Sequence, residues 1–163
     1  MRQGKLYDYF EAGEDSLNTM ITEDTRKDGG WVKRGSGDLN RGCIPRKLGA
    51  DPEQTGSAGT TDCIVFRYAD VLLLAVELDV RINGTASADA QGWFDQVRDR
   101  AFKDKEHRIN LAGKSKQELL DILFEERGYE FMDEMQRWFD ILRFDKGTEI
   151  LGNKGWTEKF RYF

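Results

Sequence analysis

Hydrophobic residues recur with helical spacing only from Ile64 onward. Residues 67 to about 82 are apolar on more than one face, a pattern typical of a helix buried between neighbouring elements. Asn83 and Gly84 form the signal that ends this helix. A single apolar stripe then predicts a second helix from Ser87 to about Phe102, and its members are Ala90, Trp93, Phe94, Val97 and Ala101.

A third helix is predicted to begin at Ser115. Ser115 and Glu118 have the spacing of a capping box, in which each side chain bonds the other residue's backbone N–H. Apolar residues continue at helical spacing beyond Phe131, over a length that a single straight helix does not explain. We therefore place a bend near residues 132–136. The apolar face at the start of this helix consists of Leu119, Ile122, Leu123 and Phe124.

Residues 1–62 differ in character from the rest of the chain. They contain both prolines and many of the 17 glycines, with little sustained apolar periodicity. Such stretches form turns and surface loops. We therefore divide the chain into a loop-rich segment at 1–62 that is a candidate for ligand contact, a helical region at 63–146 and a C-terminal tail at 147–163.

Composition and charge exclude several classes of protein. The 163 residues carry 25 Lys and Arg against 30 Asp and Glu, a net charge of −5 with both signs interspersed. A nucleic-acid binder or a polybasic membrane-surface protein needs a concentrated positive field, so neither is expected. No 18-residue apolar run is present, and the first eight residues lack the basic and apolar regions of an export signal.

The two cysteines do not indicate a metal site. Cys43 and Cys63 are 20 positions apart and lack a nearby CxxC motif or histidine partner, so zinc is not expected. Free thiols and a single disulfide both stay open. No cofactor-binding motif is found.

Two carboxylates are the strongest sign of chemistry in the sequence. Glu126 and Glu130 share one helix face and would suit an acid/base pair or two metal ligands. However, one helix face cannot flank a scissile bond from both sides, and the single histidine, His107, lies in a charged loop. No nucleophile motif is present either. We therefore predict no catalytic or metal site, and expect ion pairs with the arginines Arg67, Arg127, Arg137 and Arg143.

Aromatic residues offer a different kind of site. Trp138 lies between the i, i+3 charges Arg137, Asp140 and Arg143 on an apolar helix, and we expect it in the core. Trp31 and Trp156 lie instead on predicted loops. Rings on loops stack on the C–H faces of sugars, so these two are our candidate ligand-binding residues. The alternative is that each ring only packs its own loop against the helices.

Three long motifs, in order and at matching spacing, resemble the C-terminal region of the SusD/RagB family. They are residues 65–77 (VFRYADVLLLAVE), 93–101 (WFDQVRDRA) and 126–143, which begin ERGYEF and end RWFDILR. The resemblance is strong over residues 62–146. The chain departs from the family pattern at Gly128, where a second arginine is usual, and at Met135, where glycine is usual.

This resemblance implies a mainly α fold of TPR-like helix pairs with long irregular loops. It also implies a non-catalytic lipoprotein of the outer membrane that captures glycans at the cell surface for a TonB-dependent transporter. Ligand residues vary within the family, so none is carried over by motif. The motif residues would be structural: Arg67, Tyr68, Asp70, Glu126, Arg127, Glu130, Arg137, Trp138, Asp140 and Arg143.

Two other functions stay open beside glycan binding. One is a helical adaptor that binds a protein partner and no sugar; the other is an enzyme that uses Glu126 and Glu130. Family members have further helices before the first motif and a tail after the last, so we expect this chain to be a C-terminal portion of a longer protein. Part of the apolar helix at 67–82 should then be exposed when the chain is alone.

Overall fold

Five α-helices and one two-stranded sheet make up the part of the chain that the structure describes. The structure is a computed structural model, and it describes residues 24–26, 31–33, 43–45, 64–132 and 134–151. In chain order the elements are β1 (Trp31–Lys33), β2 (Cys43–Pro45), α1 (Tyr68–Asn83), α2 (Ala88–Phe102), α3 (Lys116–Glu130), α4 (Arg137–Arg143) and α5 (Gly147–Leu151).

Helices α1 and α2 form a pair joined by a four-residue connection. Gly84 ends α1 in the left-handed conformation, with a φ of 73°, and its N–H bonds the Val80 carbonyl at 2.9 Å. Ser87 then caps α2 by accepting from the Ala90 N–H. Asp79 holds the connection by accepting from the Ser87 N–H at 2.7 Å. This pairing agrees with the predicted TPR-like, mainly α fold.

The core lies where α1, α2 and α3 meet. Each helix contributes residues at 3.6-residue spacing, as the sequence pattern requires. Phe94 is the largest of the fully buried side chains in the described part of the chain. Removal of so large a buried ring costs about 3–5 kcal/mol in typical cores. The other buried apolar side chains of this cluster are Ala69, Leu72, Leu73, Val76, Val80, Ala90, Val97, Leu111, Leu119, Leu123 and Phe131.

The predicted third helix is confirmed at its start and broken at its end. Ser115 and Glu118 form both hydrogen bonds of the capping box. Helix α3 ends at Glu130 and α4 begins at Arg137, so the helical run is interrupted where the bend near residues 132–136 was predicted. Met135 lies in this turn with a φ of 60°. Ile141 of α4 and Phe124 of α3 form a second small cluster of buried side chains.

Two sequence expectations differ from the structure, whereas a third agrees with it. Part of the apolar helix at 67–82 was expected to be exposed in this chain alone, and Val71, Leu78 and Ile82 of α1 are exposed. Trp138 was expected in the core, and 46% of its surface is exposed. Trp31 was assigned to a loop, whereas β1 begins at that residue and pairs antiparallel with β2, Val32 opposite Ile44. Helical periodicity identifies apolar residues but does not say which of them find a neighbour.

The short segment Asp24–Arg26 packs onto the helices from a distant part of the sequence. The N–H and hydroxyl of Thr25 both donate to the Ala101 carbonyl, at 2.8 and 2.7 Å. This carbonyl lies at the C-terminal end of α2, where backbone acceptors lack helical partners. The contact places Arg26 against α3.

Candidate functional site

Glu126 and Glu130 lie on one face of α3, as predicted, and both are buried. Glu126 accepts from Arg98 at 2.5 Å and from Arg26 at 2.6 Å. Glu130 accepts from Arg67 and Arg100, and Arg26 lies 3.3 Å away. These two carboxylates and the four arginines Arg26, Arg67, Arg98 and Arg100 are called the glutamate cluster below.

The expected ion pairing is thus present, but most of the partners differ from those predicted. Of the four arginines that the sequence analysis named, Arg67 pairs with Glu130. Arg98 and Arg100 lie in the second family motif, at residues 93–101, and neither was among the predicted partners. Arg26 comes from the loop-rich segment, 100 positions from Glu126. No local spacing could have predicted that contact.

Electrostatics favour the ionised form of Glu130. Burial by itself would raise the pKa of this carboxyl, but Arg67 and Arg100 outweigh burial and hold the pKa below its ordinary value. For Arg26, burial opposes the charge, yet Asp24 and Glu126 together raise the pKa of its guanidinium. Both groups are therefore charged at neutral pH. A carboxylate held in this way is a poor proton donor or acceptor.

A second ion-pair group surrounds Arg127. Its guanidinium donates to Asp70 of α1 at 2.8 Å and to Asp140 of α4 at 2.9 Å, and all three side chains are buried. Arg143 pairs with Asp140 at 2.7 Å, as the i, i+3 spacing predicted, and with Glu77 of α1 at 2.7 Å. This group fastens α4 to α1 and α3.

Arg137 has a different environment from the one its spacing suggested. Its guanidinium donates to the Phe124 carbonyl at 2.6 Å and lies 3.6 Å from the centre of the Phe124 ring. Burial lowers the pKa of this guanidinium below its ordinary value. A Cβ at position 128 would come within 2.8 Å of the guanidinium, so Gly128 leaves the space that Arg137 occupies. An arginine at 128 would therefore displace Arg137.

Tyr68 and Trp138 differ from the other predicted structural residues. The exposed fractions are 68% for Tyr68 and 46% for Trp138, whereas Asp70, Glu126, Arg127, Glu130 and Asp140 are buried. Both rings lie at the surface of the described helices. The rings of Tyr68 and Trp138 are therefore more accessible to solvent than the buried motif residues.

One cleft in the described region opens beside the glutamate cluster. It has a volume of about 390 Å³ and lies between α3 and the connection that precedes it. Ile109, Ile122 and Tyr129 supply apolar surface, while Asp121 and Glu125 supply carboxylates. Arg98 and Glu126 also line the cleft, but they already bond one another. No spacing in the sequence indicates this cleft, since its residues come together only in the fold.

The candidate ligand residues are only partly described by the structure. Strand β1 begins at Trp31, of which the structure describes the backbone, and Trp156 lies outside the described residues. His107 stacks on Phe102 at 4.6 Å and lies 2.9 Å from Asp104 through Nδ1. Within the described ranges, no group of three or more His, Cys, Asp and Glu is arranged to hold a metal ion. No helix there is long and apolar enough to cross a membrane.

Comparison with known proteins gives consistent matches. SusD-like protein P2 of Formosa agariphila is 36% identical over 103 residues, which cover 61% of this chain and 20% of that protein. SusD-like protein P25 of the same organism is 36% identical over 80 residues, or 49% of this chain and 15% of that protein. SusD-like protein P38 is 31% identical over 98 residues, or 59% and 20%.

The chain thus spans about one fifth or less of the length of these curated relatives. No solved structure matches it significantly. The family model described as the SusD family matches residues 7–161, which extends the resemblance well beyond the helical motifs at 62–146. The three motifs, the helical fold and this match agree, and the chain belongs to the SusD family.

Proposed function

We propose that this chain is part of a non-catalytic protein that binds glycans for nutrient uptake. The observation that carries the proposal is the family match over residues 7–161. Such a protein acts at the surface of the outer membrane and passes its ligand to a TonB-dependent transporter. Because the chain spans a small part of its relatives, the role belongs to the longer protein of which such a segment is part.

The geometry of the glutamate cluster favours binding over catalysis. An enzyme that used Glu126 and Glu130 would need at least one carboxyl free to exchange a proton with a substrate. Here Glu126 is held by Arg98 and Arg26, and the pKa of Glu130 is lowered. Replacement of Glu126 by glutamine should therefore lower the stability of the fold rather than abolish an activity.

Trp31 remains our first candidate for sugar contact, with Trp156 second. A ring that stacks on a sugar stabilises the complex through the apolar area that it buries, at about 25 cal/mol per Å². The family's ligand residues lie mostly in loops. Trp31 lies in the loop-rich segment 1–62, although it begins the short strand β1 there. The adaptor alternative requires no such ring, because its partner is a protein.

The test measures oligosaccharide binding by the 163-residue chain. Quenching of tryptophan fluorescence and calorimetry detect the binding. A panel of oligosaccharides is compared on the wild type, Trp31→Ala and Trp156→Ala. We expect Trp31→Ala to weaken binding about tenfold, whereas Trp138→Ala, which removes an exposed ring from α4, serves as the matched control.

Each result separates two claims. Absence of binding across the panel would reject glycan binding by this segment. Binding that Trp31→Ala leaves unchanged would reject Trp31 alone. Capture of a protein by the wild type, with no sugar bound, would favour the adaptor. The proposed transporter partnership is tested separately, by affinity purification from outer membranes of the native organism.

A further inference from the structure

Arg26 is held by both charged and aromatic groups where its segment meets the helices. Only 12% of its side chain is exposed, and its guanidinium lies 2.6 Å from Glu126 and 3.3 Å from Glu130. The guanidinium also lies over the rings of Phe102 and Tyr129, 5.8 Å from the centre of each. Arg26 therefore contacts α2 and α3 at once.

The helical region balances its two buried glutamates without Arg26. Three arginines of the helical region already pair with them, namely Arg67, Arg98 and Arg100. Arg26 brings a carboxylate of its own, since Asp24 accepts from its guanidinium at 2.7 Å and is itself buried. The segment Asp24–Arg26 thus docks as a neutral unit, and the helices do not need it to balance their charges.

The place of Arg26 in the chain gives this contact a consequence for the sheet. Strand β1 begins five residues later, at Trp31, and five residues of chain span at most about 18 Å. On the other side of the sheet, nineteen residue steps separate Pro45 from Ile64, and these span at most about 68 Å. Within the described ranges, Arg26 is therefore the point nearest in sequence at which the sheet is fastened to the helices.

A sheet of this size depends on such a fastening. Each strand has three residues, and an isolated two-stranded hairpin is at best marginally stable in water. Thr25 supplies a second attachment next to Arg26, because its N–H and hydroxyl both donate to the Ala101 carbonyl, at 2.8 and 2.7 Å. The chain is thus held by backbone and side chain shortly before β1.

We propose that Arg26 is a positioning residue for ligand binding, because it fixes the sheet that begins at Trp31 against the helical region. The inference rests on the proposed function, in which Trp31 contacts the sugar. Arg26 acts without touching the sugar. Its contacts restrict the position of the ring before the ligand arrives, so that less freedom is lost on binding. Loss of Arg26 should therefore weaken binding while the helices stay intact.

The first experiment measures the fastening without any ligand. Spin labels are attached at Lys33→Cys on β1 and at Gln117→Cys, an exposed position on α3, in a background with Cys43→Ser and Cys63→Ser. Pulsed electron–electron double resonance gives the distribution of distances between the labels. We expect a narrow distribution that becomes at least about twofold broader with Arg26→Ala, because only the longer connection then restricts the sheet.

Two further variants separate Arg26 from the glutamate cluster as a whole. Arg100→Ala removes a different partner of Glu130 but leaves Asp24–Arg26 in place, so the distribution should stay narrow. Arg26→Lys keeps the positive charge that faces Glu126, and its distribution should be narrower than that of Arg26→Ala. Circular dichroism checks that the helices are present in every variant.

Three results of this experiment would overturn the proposal. One is a broad distribution in the labelled background, and another is a distribution that Arg26→Ala leaves narrow. The third is an Arg26→Ala variant without helices, since the helical region would then depend on Arg26 for its own folding.

The second experiment connects the fastening to binding. For an oligosaccharide that the wild type binds, we expect Arg26→Ala to raise the dissociation constant about tenfold and Arg100→Ala to change it by less than about twofold. The losses from Arg26→Ala and Trp31→Ala should not add in the double variant, because both act through the same ring. Additive losses would mean that Arg26 acts independently of Trp31, which would overturn its positioning role.

The two experiments distinguish failure of this inference from failure of the proposed function. If the wild type binds no oligosaccharide but Arg26→Ala still broadens the distance distribution, glycan binding by this segment is rejected and the positioning role with it, while the fastening of the sheet stands. If the wild type binds sugar and Arg26→Ala does not weaken binding, the proposed function stands and only the role of Arg26 is rejected.

Discussion

Met135 departs from the family pattern at a position where the backbone conformation favours glycine. The sequence has methionine where SusD/RagB members usually have glycine, and the structure gives this residue a φ of 60°. L-residues other than glycine adopt this left-handed conformation at a cost of about 1 kcal/mol or more. The turn between α3 and α4 needs that conformation, and so the usual glycine has a physical explanation.

Met135→Gly should therefore stabilise the protein by about 0.5–1 kcal/mol, because the side chain is 79% exposed and little packing is lost. Urea unfolding followed by circular dichroism measures the change. Met135→Ala is the control, since it removes the same side chain beyond Cβ but keeps the unfavourable backbone. Equal gains for both variants would mean that the exposed side chain, and not the backbone, is the source.

At the scale of the element, the two ends of α3 are stabilised in different ways. Its N-terminus is stabilised by local chemistry, since Ser115 accepts from the Glu118 N–H and the Glu118 carboxylate accepts from the Ser115 N–H. Its C-terminus depends on distant contacts, because Arg67 of the first motif bonds both the side chain and the backbone carbonyl of Glu130. The start was predictable from four residues, whereas the end was not.

Loss of the cap tests the local part of this account. Ser115→Ala should destabilise the protein by about 1 kcal/mol, because it leaves a helix-terminal N–H without its acceptor. Thermal unfolding measures the loss. Ser115→Asp keeps a side-chain acceptor at the same position and should remain close to the wild type. A Ser115→Asp variant as unstable as Ser115→Ala would show that the hydroxyl acts in some other way than as a cap.

At the scale of the whole molecule, buried ion pairs join segments that are far apart in sequence. The glutamate cluster connects Asp24–Arg26, the start of α1, α2 and α3, while the Arg127 group connects α1, α3 and α4. Ion pairs of this kind add little net stability compared with apolar packing. Removal of one partner is nevertheless costly, because the other charge stays buried.

The lowered pKa of Glu130 predicts acid sensitivity. The ionised carboxylate contributes its full stabilisation above its ordinary pKa of 4.5, and this contribution is lost as the pH falls through the lower pKa of the folded state. Glu130→Gln should cost about 3–5 kcal/mol near pH 7, and its difference from the wild type should shrink below about pH 4.5.

Urea unfolding at several pH values measures this difference. Glu125→Gln, on the exposed face of the same helix, is the matched control and should change stability by less than about 0.5 kcal/mol. A Glu130→Gln deficit that is the same at pH 7 and pH 3.5 would contradict the assigned charge, since a neutral role for the carboxyl has no pH dependence.

The sequence predicted best those features that depend on interactions between neighbouring residues. The starts and ends of α1 and α2 and the capped start of α3 follow from neighbouring residues, and the structure confirms them within about one residue. The ion-paired state of Glu126 and Glu130 also followed, from the number of arginines. Of the predicted partners only Arg67 pairs with either carboxylate among the described contacts, because Arg26 and Arg98 reach Glu126 only through the packing of three separate segments.

By itself, then, the sequence determined the helices, their apolar faces and the family, because periodicity, caps and ordered motifs are properties of neighbouring positions. Only the tertiary structure decided which apolar faces are covered and which charges meet. Examples are the exposed position of Trp138 on α4 and the exposure of Val71, Leu78 and Ile82, rather than of their apolar neighbours, on α1. Burial depends on what the rest of the fold places beside a helix, and no pattern within the helix contains that information.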